Sequence, residues 1–292
     1  LCNFSQKIFS VMRNVSKFLV VFLLVLTTSV QAQRANREKA QKNSKAETQR
    51  SFKSKAQQEE LLKDSKWRKE NYIVNRDSAY ANPYYALQKL RWGNTRFIEG
   101  RSIHPRQDKK VINELAKGQK PFAIIVGCSD SRVSAEILFD QGFGDLFVTR
   151  TAGQVMAQAS YGTIEFATAA LGTKLILVLG HTSCGAVDAA LKLPENPPGH
   201  IVTLINKIKP ATALVSEGNN GNKLNEAIRL NVINQVQELR DLEPVLSRMY
   251  QRGEILIVGG IYDLETGKVE FLPETLKDLP ASNFSKRDIM GE

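Results

Sequence analysis

The sequence predicts an α/β domain: a mostly parallel central sheet flanked by helices, preceded by an N-terminal helical arm. Three short runs of strand length, Phe122–Gly127, Leu175–Gly180 and Glu254–Tyr262, are predominantly apolar without alternation, which is how strands buried on both faces read. Helical patterns separate them, above all Leu224–Leu242, which carries Leu224, Ile228, Val232, Val236 and Leu239 on one face. Strands that alternate with helices pair in parallel within one sheet.

Taken in order, structure is expected to start near Asn82-Pro83, because proline suits the first turn of a helix. Tyr84, Leu87, Leu90, Arg91 and Phe97 then recur at helical spacing up to Ile98, and Gly100 supplies a C-terminal stop. A short helix over Lys109–Lys117 ends at Gly118. The strand Phe122–Gly127 follows, and Asp145–Thr149 reads as a second strand. Ala159–Leu171 is a helix of small residues, and Leu175–Gly180 is the next buried strand. Cys184–Leu191 begins a helix that Pro194 terminates, and a loop rich in Pro, Asn and Gly covers Pro194–Gly199. After the long helix and the strand ending at Tyr262, Gly267 turns a hairpin back through Val269–Leu272.

The regions outside this pattern differ in composition. Met12–Lys17 is a charged start, and Phe18–Leu26 is an apolar run far too short to span a bilayer. Val30-Gln31-Ala32 places small residues where a signal peptidase cuts. Residues 1–32 are therefore expected to be a leader and signal peptide, with residues before Met12 upstream of the start. Cleavage after Ala32 implies export to the periplasm or the medium, and leaves no stable membrane span. Residues 33–78 are polar and rich in Lys, Gln and Ser, and are expected to be disordered or loosely helical. The catalytic domain is expected over 79–275, with a tail over 276–292.

The formal net charge is +10, from 40 Lys and Arg against 30 Asp and Glu. Much of the excess lies in the arm, between Arg34 and Lys69. Beyond it the charge is closer to balance, and no aromatic and basic groove suggests nucleic acid. The hydrophobic content of 42% is enough for one well-buried core.

Removal of the leader takes Cys2 and leaves Cys128 and Cys184. In an oxidising compartment these two are open to a disulfide. Their surroundings offer another reading. Two buried strands end in polar segments, Cys128-Ser129-Asp130-Ser131-Arg132 and His181-Thr182-Ser183-Cys184, and ligands in open α/β sheets gather at the carboxyl ends of strands. Two thiolates and one imidazole form the ligand set of a catalytic zinc with an open fourth position. Cys184 also opens a helix, whose positive end favours a thiolate. No His-x-Glu or Pro-Cys-x-x-Cys segment is present, which excludes a zinc deaminase.

Cys128-Ser-Asp-Ser-Arg-Val and Gly180-His-Thr-Ser-Cys-Gly-Ala resemble the two signature motifs of the β-class carbonic anhydrases. The likeness extends through Trp92–Phe97, Phe139–Gly142, Asp145–Val148 and Thr151-Ala152-Gly153, and runs from about Pro83 to about Leu272. It implies one zinc per chain, held by Cys128, His181 and Cys184, and reversible hydration of carbon dioxide to bicarbonate and a proton by zinc-bound hydroxide. It assigns a catalytic dyad to Asp130 and Arg132, with Asp130 able to become a fourth zinc ligand when unpaired. Gln119, Phe147, Ala152 and Phe166 fall at positions of the family's substrate pocket, partly across a subunit interface, so a homodimer or homotetramer is implied. Family members with an inhibitory bicarbonate site carry tryptophan and tyrosine where this chain has Ile125 and Phe166. The resting site is therefore expected to be open, with Asp130 paired to Arg132. Hydrolysis of carbonyl sulfide or carbon disulfide on the same zinc site is the alternative activity, and a non-catalytic scaffold is the alternative class. A scaffold would be expected to lose a ligand or a dyad member first, and all five are present. His104 and His200 receive no role.

Overall fold

The computed structural model describes residues 74–192, 197–215, 222–277 and 279–280. The leader, most of the arm and the extreme C-terminus lie outside the described residues. The chain enters through helix α1 (Arg76–Ala81), capped by the Asn75 side chain, which accepts from the N–H groups of Asp77 and Ser78. The arm boundary expected at residue 78 thus falls inside a helix. The polar sequence of α1 hides its anchor: Arg76 Nε lies 3.0 Å from Oδ1 of the buried Asp145, which Arg106 also pairs at 3.1 Å. Helix α2 (Pro83–Ile98) begins with Pro83 in its first turn, as expected, and the short helix α3 (Lys109–Leu115) follows.

Strands β1 (Ala123–Cys128), β2 (Leu146–Thr151), β3 (Leu175–His181) and β4 (Leu256–Tyr262) pair in parallel. The short β5 (Val269–Phe271) returns antiparallel to β4, giving the order β2-β1-β3-β4-β5. Between them lie α4 (Ala135–Leu138), α5 (Gln158–Ala169), α6 (Gly185–Lys192), α7 (Ile201–Thr212), α8 (Lys223–Arg240) and α9 (Leu246–Gln251), and α10 (Pro273–Leu276) closes the described fold. Every residue of β1 and β3 is buried, which explains their unbroken apolar sequences.

Successive side chains of these strands point to opposite faces, so each strand feeds two cores. Ile125, Leu177 and Val258 pack with Leu87 and Leu90 of α2. Ile124, Val178 and Ile257 pack with Val232, Val236 and Leu239 of α8 and Ile164 of α5. A third cluster, at the carboxyl ends of the strands, joins Cys128 and Cys184 to Val187 of α6, Ile205 and Ile208 of α7, and Ile228 of α8. Buried Arg96 reinforces α2 from the side: its Nε lies 2.6 Å from Asp140 Oδ2, and Asp140 also accepts from the N–H groups of Ile103 and His104.

Candidate metal centre

β1 and β3 are neighbours, with Gly127 paired to Leu179, so their carboxyl ends reach the same edge of the sheet. β1 ends on Cys128 and β3 on His181. The next three residues turn so that Cys184 stands immediately before α6, with Ser183 in the left-handed region at φ 55°. Two hydrogen bonds fix this turn from the β4 side: Thr182 N–H donates to the Tyr262 carbonyl, and Leu264 N–H donates to Thr182 Oγ1.

One ligand atom from each of Cys128, His181 and Cys184 lies within 4.8 Å of the others, and all three residues are buried. Both cysteines are free thiols, so the disulfide reading fails. His181 Nδ1 lies 2.9 Å from the Thr182 carbonyl, which selects the tautomer protonated there and leaves the Nε2 lone pair facing the thiols. That buried Nε2 has no hydrogen-bond partner. An orphaned imidazole nitrogen beside two thiols is a poor arrangement for its own sake and a good one for a soft-to-borderline cation, so the residues fit zinc.

The electrostatics agree. The Cys128 thiol is lowered to about 3, first by the hydrogen bond from the Cys184 thiol, then against burial by His181 and by the N–H groups of Asp130 and Gly153. Cys184 is pushed up, because Cys128 holds its proton and burial opposes a second charge, while the N–H groups of Val187 and Ala186 at the start of α6 pull the other way. Burial lowers the His181 imidazole, but the neighbouring Cys128 sulfur, the Thr182 carbonyl and the Asp130 carboxylate outweigh it, so the net direction is upward.

Asp130 stands at the mouth of this trio. Arg132 holds it by two side-chain bonds, Nε to Oδ1 at 2.9 Å and Nη2 to Oδ2 at 2.7 Å, and by its own backbone N–H at 2.9 Å. This bidentate pair keeps the carboxyl well below the usual carboxylate range. The carboxylate Oδ2 lies 3.9 Å from His181 Nε2, and the ligand cluster comprises Cys128, His181 and Cys184 without it. Asp130 is therefore not a fourth member of the ligand cluster; Arg132 satisfies both of its oxygens and holds it in the paired arrangement expected from the sequence.

The pocket residues separate. Ala152 lies half-buried in a short 3-10 turn, Ala152–Gln154, directly after β2. Phe147 and Phe166 form a tilted ring pair with centroids 6.4 Å apart, but Phe147 lies beside Ile124, four residues before the Cys128 register. At strand rise that is about 13 Å from the ligand end. Phe166 is 53% exposed on α5 and Gln119 is exposed before β1. Phe147 packs against the core formed with α5 and α8, at the opposite end of the strands from Cys128, and neither Gln119 nor Phe166 belongs to the cluster that holds the three ligand residues.

Two sets of contacts in the site escape sequence reasoning, although Arg150 itself falls at a position that the resemblance places in the family's inhibitory bicarbonate site. Arg150, at the end of β2, donates from Nε to the Cys128 carbonyl at 2.8 Å and from Nη2 to the Asp130 carbonyl at 2.6 Å. Gly153 donates its N–H to Cys128 Sγ at 3.3 Å, and Asn231 and Gln235 of α8 donate to its carbonyl. The signal for the second was present, since Asn231 and Gln235 interrupt the apolar face of α8.

A family model described as carbonic anhydrase matches residues 123–269. Carbonic anhydrase 2 of Mycobacterium tuberculosis is 42% identical over 190 residues, covering 64% of this chain and 91% of that protein. The carbonic anhydrase of Mycolicibacterium smegmatis is 40% identical over 193 residues, covering 65% and 93%. Among solved structures, the β-carbonic anhydrase CcaA aligns with a TM-score of 0.52 at 29% identity, over 67% of this chain and 99% of that one. The Coccomyxa β-carbonic anhydrase in complex with acetazolamide aligns with a TM-score of 0.52 at 26% identity, over 61% and 82%.

Proposed function

The chain belongs to the β-class carbonic anhydrases, and from that premise we propose that Cys128, His181 and Cys184 hold one catalytic zinc per chain, with Asp130 and Arg132 as the dyad beside it. The reaction is the reversible hydration of carbon dioxide, CO2 + H2O giving bicarbonate and a proton. The observation that carries the metal assignment is the convergence of two buried thiols on a histidine nitrogen that has no other partner.

When bound, zinc supplies a water acidified to a pKa of about 7, and hence a nucleophile at neutral pH. The chain's residues do the rest. Asp130, ionised and clamped, offers an oxygen acceptor at the mouth of the trio, so a hydrogen of the attacking group is held on one side and its lone pair is left facing carbon dioxide. By binding both of its oxygens, Arg132 would keep Asp130 from joining the three residues that would hold the metal. Its side chain is 55% exposed, so its positive charge is available to attract an anionic product such as bicarbonate. The test is stopped-flow hydration on the zinc-loaded protein: activity should vanish on chelation and return with zinc, and activity unaffected by complete metal removal would sink the proposal.

The working form is a homodimer or a homotetramer, built across β2. That strand is an unpaired edge with half-buried Leu146, Phe147 and Val148, and exposed Phe166 stands next to Phe147. A second copy docked there is how Gln119, Phe147 and Phe166 would reach a substrate pocket. Sedimentation should give a multimer for the wild type and a monomer for Phe166→Glu; a monomeric wild type would remove this reading.

The charged start and apolar run of Met12–Leu26 support export. Among the described residues, no helix is long and apolar enough to cross a membrane. Expression in a bacterium with separate analysis of the exported fraction should yield a mature chain beginning at Gln33. An uncut chain retained in the cytoplasm would refute it.

A further inference from the structure

The structure assigns Asn231 and Gln235 a positioning role: by gripping the Gly153 carbonyl they fix the hydrogen bond that Gly153 gives to Cys128 Sγ. The role rests on the zinc reading of the Cys128, His181 and Cys184 trio.

Asn231 and Gln235 are 1% and 5% exposed, on the face of α8 that carries Ile228, Val232 and Val236 into the core. Two buried amides in an apolar stripe are costly unless they are paired. They stand one helical turn apart and converge on a single acceptor: Asn231 Nδ2 lies 3.2 Å and Gln235 Nε2 lies 3.3 Å from the Gly153 carbonyl oxygen. Gln235 Nε2 also donates to Asn231 Oδ1 at 3.1 Å, which sets the orientation of the Asn231 amide.

The gripped residue is the one whose position needs outside support. Gly153 sits at φ 66° in the turn after β2, beyond the last ladder pair with β1. A Cβ on it would come within 2.8 Å of Ile208 Cδ1 and 3.1 Å of Ala186 Cβ, so the backbone is pressed close to α7 and α6. Its N–H points at Cys128 Sγ from 3.3 Å. Such a bond draws charge from a thiolate and fixes its direction, which is what outer partners of a metal ligand do. The carbonyl and the N–H belong to adjacent peptide units, so the amides act on the sulfur through the geometry of the turn.

A purely structural role predicts lost stability with no change at the sulfur, and the two readings separate on a spectroscopic signature. The variants are Gln235→Met, which keeps the Asn231 donor, and the double variant Asn231→Leu with Gln235→Met, which keeps neither. Each is prepared as the full chain, loaded with cobalt for absorption and with zinc for release to a chelator. The expected result is a thiolate-to-cobalt charge-transfer band moved to lower energy, more in the double variant than in the single. Zinc affinity should fall about tenfold in the double variant, the low end of the range for outer partners of metal ligands. Folded variants with the wild-type band and wild-type zinc retention would overturn the role. Should the double variant fail to fold, Gln235→Met decides on the same readouts. A wild-type chain with no thiolate-to-cobalt absorption would overturn the zinc reading itself, and this role with it.

Discussion

Replacing Cys128 with alanine is expected to reduce bound zinc from about one per chain to almost none and to abolish hydration. Cys128 sits at the end of a fully buried strand, and its sulfur faces both Cys184 and the unpartnered Nε2 of His181. With that sulfur gone, the remaining thiol and imidazole form a two-ligand site, short of the three protein ligands a catalytic zinc uses. The activity lost is the whole metal-dependent acceleration, which for enzymes in general is about a millionfold or more. The fold should survive, since Cys128 belongs to the third cluster at the strand ends and to neither of the two larger cores. Elemental analysis on the purified, folded variant is the check, and full zinc content there would refute the ligand assignment.

The second large effect is expected from Asp130→Asn, and it has the opposite metal signature. The amide matches the carboxylate in shape, and Asp130 stands outside the cluster of Cys128, His181 and Cys184, so zinc content should stay near wild type. Turnover should fall by about a hundredfold or more, a magnitude typical of removing one aligned hydrogen-bonding partner from a reacting group. The pH dependence adds a sign. Arg132 holds the Asp130 carboxyl far below its ordinary value, so it remains ionised from about pH 6 to about pH 8, well above any carboxylate's usual titration. The ratio of wild-type to variant rates should therefore stay constant over that interval. Stopped-flow assays that find a ratio shrinking toward low pH would mean that Asp130 titrates there, and near-normal turnover would make it a structural residue only.

How much of this was legible depended on where each residue's partners lie. β1 and β3 could be read because both of their faces are buried, which leaves an apolar run that no helix pattern imitates. β2 was read two residues short: Arg150 and Thr151 are polar, yet they pair in register with Gly127 and Cys128. α7 was missed because its Pro210, and the Pro and Gly residues just before it, look like loop chemistry. The arm boundary was set inside α1 because the helix's anchor, Arg76, finds its carboxylate 69 residues away. The metal trio was visible in two short motifs whose strands turned out to be neighbours. The grip on Gly153 was not, since a search for apolar periodicity passes over Asn231 and Gln235 and cannot say what they face.

Arg150 has one further consequence. A single guanidinium near the end of the edge strand grips two carbonyls, one belonging to Cys128, the proposed metal ligand, and the other to Asp130, the residue proposed to guide the nucleophile. The metal end and the guiding carboxylate are thereby carried on one rigid bracket, and that bracket is bolted to the exposed margin of the sheet. Whatever leans on the margin leans on the chemistry: a displacement of β2 would move Cys128 and Asp130 together, leaving their mutual alignment intact while changing how both meet His181 and Cys184 on the far side.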